Sequence, residues 1–160
     1  MQARRTVATW LAVAALAALT GCASLPSPDA MRSQVEGFTL PKLPEEGKAV
    51  VYMVRPSGLG GLVRFNVFVD DQEAQSEMGF TRSSQFIWFN LAPGQHKIYS
   101  KAENWAETLV EAKAGDIIFI EQEPGMGIIM ARNSLKSLDE VTGKYHVKTL
   151  TPGTMIKADK

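Results

Sequence analysis

From Lys48 onward apolar and polar residues alternate along the chain with a period of two, which predicts strands rather than helices. Lys48–Arg55 has apolar groups on both faces, with Val50, Tyr52 and Val54 on one and Ala49, Val51 and Met53 on the other. A central strand covered on both sides has this pattern. Arg55-Pro56-Ser57-Gly58-Leu59-Gly60-Gly61 ends it, because proline lacks the amide N–H and glycine weakens a strand. In Val63–Asp70 the period predicts Val63, Phe65, Val67 and Val69 inward and Arg64, Asn66 and Asp70 outward, with Phe68 the exception on the outer face. Further short strands are expected at Gln72–Met78, Ser84–Asn90, Gln95–Lys101, Ala106–Ala112, Ile117–Gln122 and Ile128–Ala131. Asp70-Asp71, Ala92-Pro93-Gly94, Gly115-Asp116 and Pro124-Gly125-Met126-Gly127 separate them as turns.

The period changes only near the C-terminus. Ser137 with Glu140 three residues on resembles a capping box, and Leu138, Val141 and Tyr145 fall near one helical face. Gly143 is expected to limit that helix to about two turns. The pattern therefore predicts an all-β fold, a mostly antiparallel β-sandwich of about seven or eight short strands with a short C-terminal helix. Val50, Tyr52, Val54, Ile118 and Ile120 are expected to join the alternating valines in a two-sheet core. The expected organisation is a leader over residues 1–21, a flexible tether over 22–46, the sandwich over 47–150 and a fraying tail over 151–160. Pro26, Pro28, Pro41 and Pro44 are read as interruptions within the tether.

The N-terminal pattern is of another kind. Arg4 and Arg5 precede a 14-residue apolar run, residues 7–20, that ends in Leu19-Thr20-Gly21-Cys22. A spanning helix needs about 20 apolar residues, so the run is read as the helix of a signal peptide. The last four residues resemble the lipobox of bacterial lipoproteins. They predict cleavage between Gly21 and Cys22 and acylation of the Cys22 thiol. Cys22 is the sole cysteine, so the mature chain would have none for a disulfide, a zinc site or a cysteine nucleophile. Each buried acyl methylene contributes about 0.8 kcal/mol, and two or more chains anchor stably.

Charge narrows the partners. Removing Arg4 and Arg5 from the 17 basic residues leaves 15 against 17 acidic, a formal charge of −2 with no block of one sign. Nucleic acid is therefore not expected as a partner, since phosphate binding needs a basic patch.

Val50-Val51-Tyr52-Met53-Val54-Arg55-Pro56 resembles the opening signature of a bacterial lipoprotein family known as domain of unknown function 2846. The likeness continues through Val67-Phe68-Val69-Asp70-Asp71 and Phe89-Asn90-Leu91-Ala92-Pro93-Gly94-Gln95-His96. It closes with Ala114-Gly115-Asp116 and covers roughly residues 47–132. The Leu-x-Pro-Gly-x-His piece is also similar to small surface sandwiches of the PEGA type. Asp71 stands where glycine is expected in the hairpin turn. The resemblance implies an antiparallel sandwich in the cell envelope and supplies no catalytic residues.

Nothing in the remaining motifs organises a reaction. His96 and His146 are 50 residues apart and lack the spacing of metal ligands, so no metal or other cofactor is expected. His96 is read as hydrogen-bonding the backbone beside the Pro93-Gly94 turn. Glu121 and Glu123 share a strand face, as glycosidase carboxylates can, but a solvated strand end explains them more simply. Arg55, Arg64, Phe68 and Trp105 are bulky or cationic residues in positions that read as exposed, and they form the candidate interaction surface. The expected function is a non-enzymatic envelope lipoprotein that binds or supports a partner, an envelope protein or peptidoglycan. Binding of a cell-wall glycan or small ligand through Trp105 is the alternative, and a hydrolase comes third. Ala23 is not the aspartate of an inner-membrane retention signal, so the expected location is the periplasmic face of the outer membrane.

Overall fold

The computed structural model describes residues 25–160. Gly21, Cys22 and the leader lie outside them. The described chain is mostly strand, arranged as a sandwich of two five-stranded sheets with two short helices. The elements in order are α1 (Pro28–Val35), β1 (Ala49–Arg55), β2 (Phe65–Val69), β3 (Glu77–Thr81), β4 (Gln85–Leu91), β5 (Gly94–Lys101), β6 (Trp105–Ala112), β7 (Ile117–Gly125), β8 (Arg132–Leu138), α2 (Glu140–Thr149), β9 (Thr151–Pro152) and β10 (Thr154–Met155). The first sheet runs β8-β7-β1-β4-β9 and the second β10-β3-β2-β5-β6. Pairing is antiparallel except for β1 with β7 and β4 with β9.

All seven residues of β1 are buried, as its two-faced apolar pattern requires. The faces divide differently from expectation. Ala49, Val51 and Met53 point between the sheets with Val67, Val69, Ile87, Phe89, Leu91, Ile98 and Ile120. Val50, Tyr52 and Val54 point the other way, into a second core with Leu40, Phe86, Phe119 and Val147 beneath the helices. Both sets are apolar, so periodicity alone could not say which faced the other sheet.

The segment read as a tether supplies part of that cover. Ser27 Oγ accepts the Ala30 N–H at 3.3 Å, Pro28 starts α1, and Met31 and Leu40 are buried. Proline at the first helical turn is preorganised for helix, so Pro28 starts an element instead of interrupting one. Tyr52 Oη donates to the Lys42 carbonyl at 2.6 Å and accepts the Lys42 N–H at 2.8 Å, fastening the arriving chain to β1. Burial pushes the Tyr52 phenol up to about 12.

The tail is fastened too. β9 extends β4, β10 extends β3, and Asp159 bonds Lys48 and Asn90 at 2.7 and 2.9 Å. Asp139, not Ser137, caps α2, accepting the N–H groups of Val141 and Thr142; Ser137 belongs to β8. Gly143 lies inside a ten-residue helix without ending it. A Cβ there would collide with the Phe119 ring, so close packing against β7 explains this glycine. Ile128–Ala131 is not a strand but an exposed bend, and Val63 lies outside β2.

β1 and β7 both run toward one end of the sandwich. The connections at 56–64, 82–84, 102–104 and 126–131 gather there. We call it the loop end.

Candidate interaction surface

The first sheet is covered on both faces, whereas the outer face of the second lacks a covering layer among the described residues. Strand alternation brings Phe68 of β2, Tyr99 of β5 and Trp105 of β6 onto that face. The Phe68 and Trp105 ring centroids are 5.2 Å apart, and Tyr99 meets Trp105 edge-on at 6.3 Å. Lys101 Nζ lies 5.0 Å from the Trp105 centroid and Lys97 Nζ 5.7 Å from that of Tyr99. Farther along, the guanidinium groups of Arg64 and Arg82 lie over the Phe80 ring, and Asn66 donates to Glu77 at 2.6 Å. On β6, opposite Lys97, Leu109 is exposed on the same face.

Two of the four residues expected on this surface are not exposed. Phe68 is only 6% exposed because Trp105 lies over it, so it supports the tryptophan from below. Trp105 itself is 37% exposed, and Arg64 is exposed as expected.

Arg55 is fully buried. Its guanidinium donates to the carbonyls of Val63 (2.6 Å), Leu59 (3.0 Å) and Gly60 (2.8 Å) and lies 3.7 Å from the Phe65 centroid. No carboxylate pairs with it among the described residues, and burial lowers its pKa to about 10. Alternation placed Arg55 at the solvent-facing end of β1. The carbonyls that claim it come from a loop that alternation does not describe. Arg55 therefore organises the 56–64 loop from within.

Glu103, which the sequence pattern did not single out, holds the neighbouring loop. Its carboxylate accepts the N–H groups of Ile128 (3.0 Å), Ile129 (2.7 Å) and Met130 (2.7 Å). These bonds hold its pKa down at about 2. A Cβ on Gly127 would strike the Met130 carbonyl and the Glu103 carboxylate, so this turn requires glycine. A Cβ on Gly60 would come within 2.5 Å of Ala131 Cβ, which brings the two loops side by side. Asn104 bonds Asn133 through both its amide oxygen (2.8 Å) and its amide nitrogen (2.9 Å). The loops so held expose Leu59, Leu62, Met126, Ile128, Ile129 and Met130.

Over 135 residues the chain is 26% identical to an uncharacterized protein of Haemophilus influenzae, a stretch that covers 82% of this chain and 76% of that protein. No family model and no solved structure matches.

The candidate histidines are bonded at a turn or buried within the fold. His96 bonds the Ala92 carbonyl at 2.9 Å through Nε2 and Asp70 at 3.1 Å through Nδ1, beside the turn where it was expected. His146 is buried, and desolvation lowers its pKa. Burial raises the Glu121 pKa, with Glu123 adding to the effect, and Glu123 pairs with Lys136 at 3.7 Å. Buried Gln122 accepts from Thr81 at 2.6 Å and donates to Ser100 at 2.8 Å, bridging the sheets.

Proposed function

We propose that this chain is the precursor of an envelope lipoprotein, anchored by acyl chains on Cys22, whose sandwich is a non-catalytic module for binding a partner protein. The carrying observation is the contrast between the two sheets. Helices and the 38–43 segment cover the first, while the second leaves Trp105, Leu109 and their flanking cations facing outward. Aromatic and cationic side chains of this kind are enriched in protein contacts. The buried polar groups Arg55, Gln122 and Tyr52 direct their hydrogen bonds into the fold, which favours a binding role over a catalytic one. The likeness to the lipoprotein family and Ala23 after Cys22 support placement on the periplasmic face of the outer membrane.

A glycan-binding reading rests on the exposed part of Trp105. Phe68, Tyr99 and Lys101 already crowd that ring, which fits a protein contact better than a bare stacking platform for a sugar. The decisive experiment places a photo-crosslinking residue at Leu109 in cells and follows fatty-acid labelling of the wild type and Cys22→Ala. A discrete protein adduct at Leu109, with label present in wild type and absent in Cys22→Ala, is expected. An adduct with peptidoglycan would favour the glycan reading. Persistence of acylated, membrane-bound mature protein in Cys22→Ala would refute the lipoprotein assignment.

A further inference from the structure

Large apolar side chains at the loop end point into solvent. Leu62 is 92% exposed, Ile128 93% and Ile129 88%, with Met126 alongside at 83%. A long apolar side chain on a free loop normally folds back onto the protein. Here the backbone is held so that these side chains cannot all turn in. Glu103 gathers three consecutive amides of one loop, buried Arg55 gathers three carbonyls of the other, and Gly60 brings the loops together. This spends a buried cation and an acceptor carboxylate on displaying an apolar tip.

Two further observations identify what the tip faces. Leu25 and Pro26, where the described chain begins, share a shallow cleft with Pro56, Ser84 and Leu150, at this same end of the sandwich. Ala23 and Ser24 alone separate Cys22 from Leu25, so Leu25 can lie no more than about 10 Å along the chain from the proposed acylation site. In addition Arg64, Arg82, Lys101 and Arg132 stand at the strand ends bordering these loops. Of the carboxylates at this end, Glu103 is engaged by the amides of Ile128, Ile129 and Met130, Glu121 is half-buried, and Glu123 is paired with Lys136. An apolar tip rimmed by cations and tied closely to a lipid anchor has the chemistry of a bilayer interface with anionic headgroups.

We propose that the loops at 56–64 and 126–131 insert their apolar tips into the membrane that holds the Cys22 anchor, standing the sandwich upright on the bilayer. This rests on the lipoprotein reading above. The inserted loops act as a second attachment and fix the domain's orientation, which directs the open face of the second sheet sideways along the membrane surface.

The test uses the acylated protein in phosphatidylethanolamine vesicles with a quarter phosphatidylglycerol. Because Cys22 is the sole cysteine of the chain and is acylated, Ile128→Cys leaves one free thiol for an environment-sensitive fluorophore. Gln72→Cys, in the turn at the opposite end, is the control. Replacing the vesicle lipids by their chain-brominated forms should quench the Ile128 label at least twofold and the Gln72 label by less than a tenth. Negligible quenching at both, with acylation confirmed by mass, would overturn insertion while leaving the lipoprotein reading intact. If mass shows Cys22 unmodified, the lipoprotein reading falls, and quenching of a labelled chain carrying both Cys22→Ala and Ile128→Cys by the same vesicles decides insertion alone. A blue shift of the Ile128 label that grows with protein concentration without vesicles, together with dimer formation in sedimentation, would assign the tip to a second copy and overturn the proposal. A triple Met126→Asp, Ile128→Asp, Ile129→Asp chain, altered only at exposed positions, should retain its melting midpoint and show no enhanced quenching of a label at Leu62→Cys. Full quenching in that background would also overturn the proposal.

Discussion

The two ends of the sandwich solve the same problem, finishing strands and satisfying their backbone groups, by opposite means. At the end away from the 56–64 and 126–131 loops the turns are polar and closed by carboxylates that the turns themselves carry. Asp71 accepts the Glu73 N–H at 2.9 Å, Asp116 the Lys113 N–H at 2.9 Å, and Asp70 the Lys97 N–H at 3.2 Å. Asp70 adopts φ 71°, a left-handed conformation that aspartate tolerates better than most residues. Lys48 links Glu45 to Asp159 there, and lysine hydrogen bonds hold the carboxyls of Glu45 and Asp159 below their ordinary pKa, as the Ser76 hydroxyl and the Glu73 amide do for Asp71. At the loop end the satisfying groups come from elsewhere: Arg55 from the strand beneath and Glu103 from a hairpin 25 residues earlier than Ile128. One end is finished by its own polar turns and is suited to water. The other borrows its polar groups and leaves its turn residues free to be apolar.

Removing the borrowed groups should break this contrast most sharply. Arg55→Met fills similar space but leaves three loop carbonyls without a donor, and should destabilise the domain by about 3 kcal/mol in urea unfolding. Arg55→Lys should recover only part of this, because one ammonium cannot match the forked geometry. A loss under about 0.5 kcal/mol for Arg55→Met would mean the loop does not depend on the guanidinium. The cap at Asp139 is local, and Asp139→Ala should cost about 1 kcal/mol, read from the same urea transitions, with the loop-end amides unaffected in hydrogen exchange.

Acid should act through His146. Burial holds its folded pKa below the ordinary histidine value of 6.5, so the folded state binds fewer protons than the unfolded chain in the window just below that value. Stability should therefore be full above about pH 6.5 and decline as pH falls, a slope that His146→Gln should reduce in pH-dependent melting. The smallest global effect belongs to Glu103→Gln, with no resolvable change in melting midpoint but faster exchange at the amides of Ile128, Ile129 and Met130. Because its folded pKa is near 2, below the ordinary 4.5, the wild-type protection should persist at pH 4 and disappear only as pH falls toward 2.

The same contrast separates what was legible in the sequence from what was not. Period-two alternation identified most of the strands, the buried face of β2 and the doubly covered β1, because those properties are local and repeat, but it missed the weakly alternating β8 and placed β3 about five residues early. Proline was ambiguous. The same residue type that ended β1 at Pro56 began α1 at Pro28, and only the contacts of Met31 and Leu40 distinguish a tether from a packed segment. Alternation assigns a side without saying what covers it, so it puts Phe68 and Arg55 at the surface, whereas Trp105 covers one and three loop carbonyls claim the other. Glu103 carried no local signal at all, since its three donors lie 25 to 27 residues along the chain. The display of apolar side chains at 126–130 could be seen as a strand candidate, but the diversion of its amides to a carboxylate could not.

The central claim is that the two ends face different solvents, lipid at one and water at the other. Spin labels at Ile128→Cys and Gln72→Cys of the acylated protein in anionic vesicles test it directly through their relative accessibility to oxygen, which concentrates in the bilayer, and to a water-soluble nickel complex. The account predicts oxygen-dominated relaxation at Ile128 and nickel-dominated relaxation at Gln72. Nickel-dominated relaxation of equal size at both positions would contradict it.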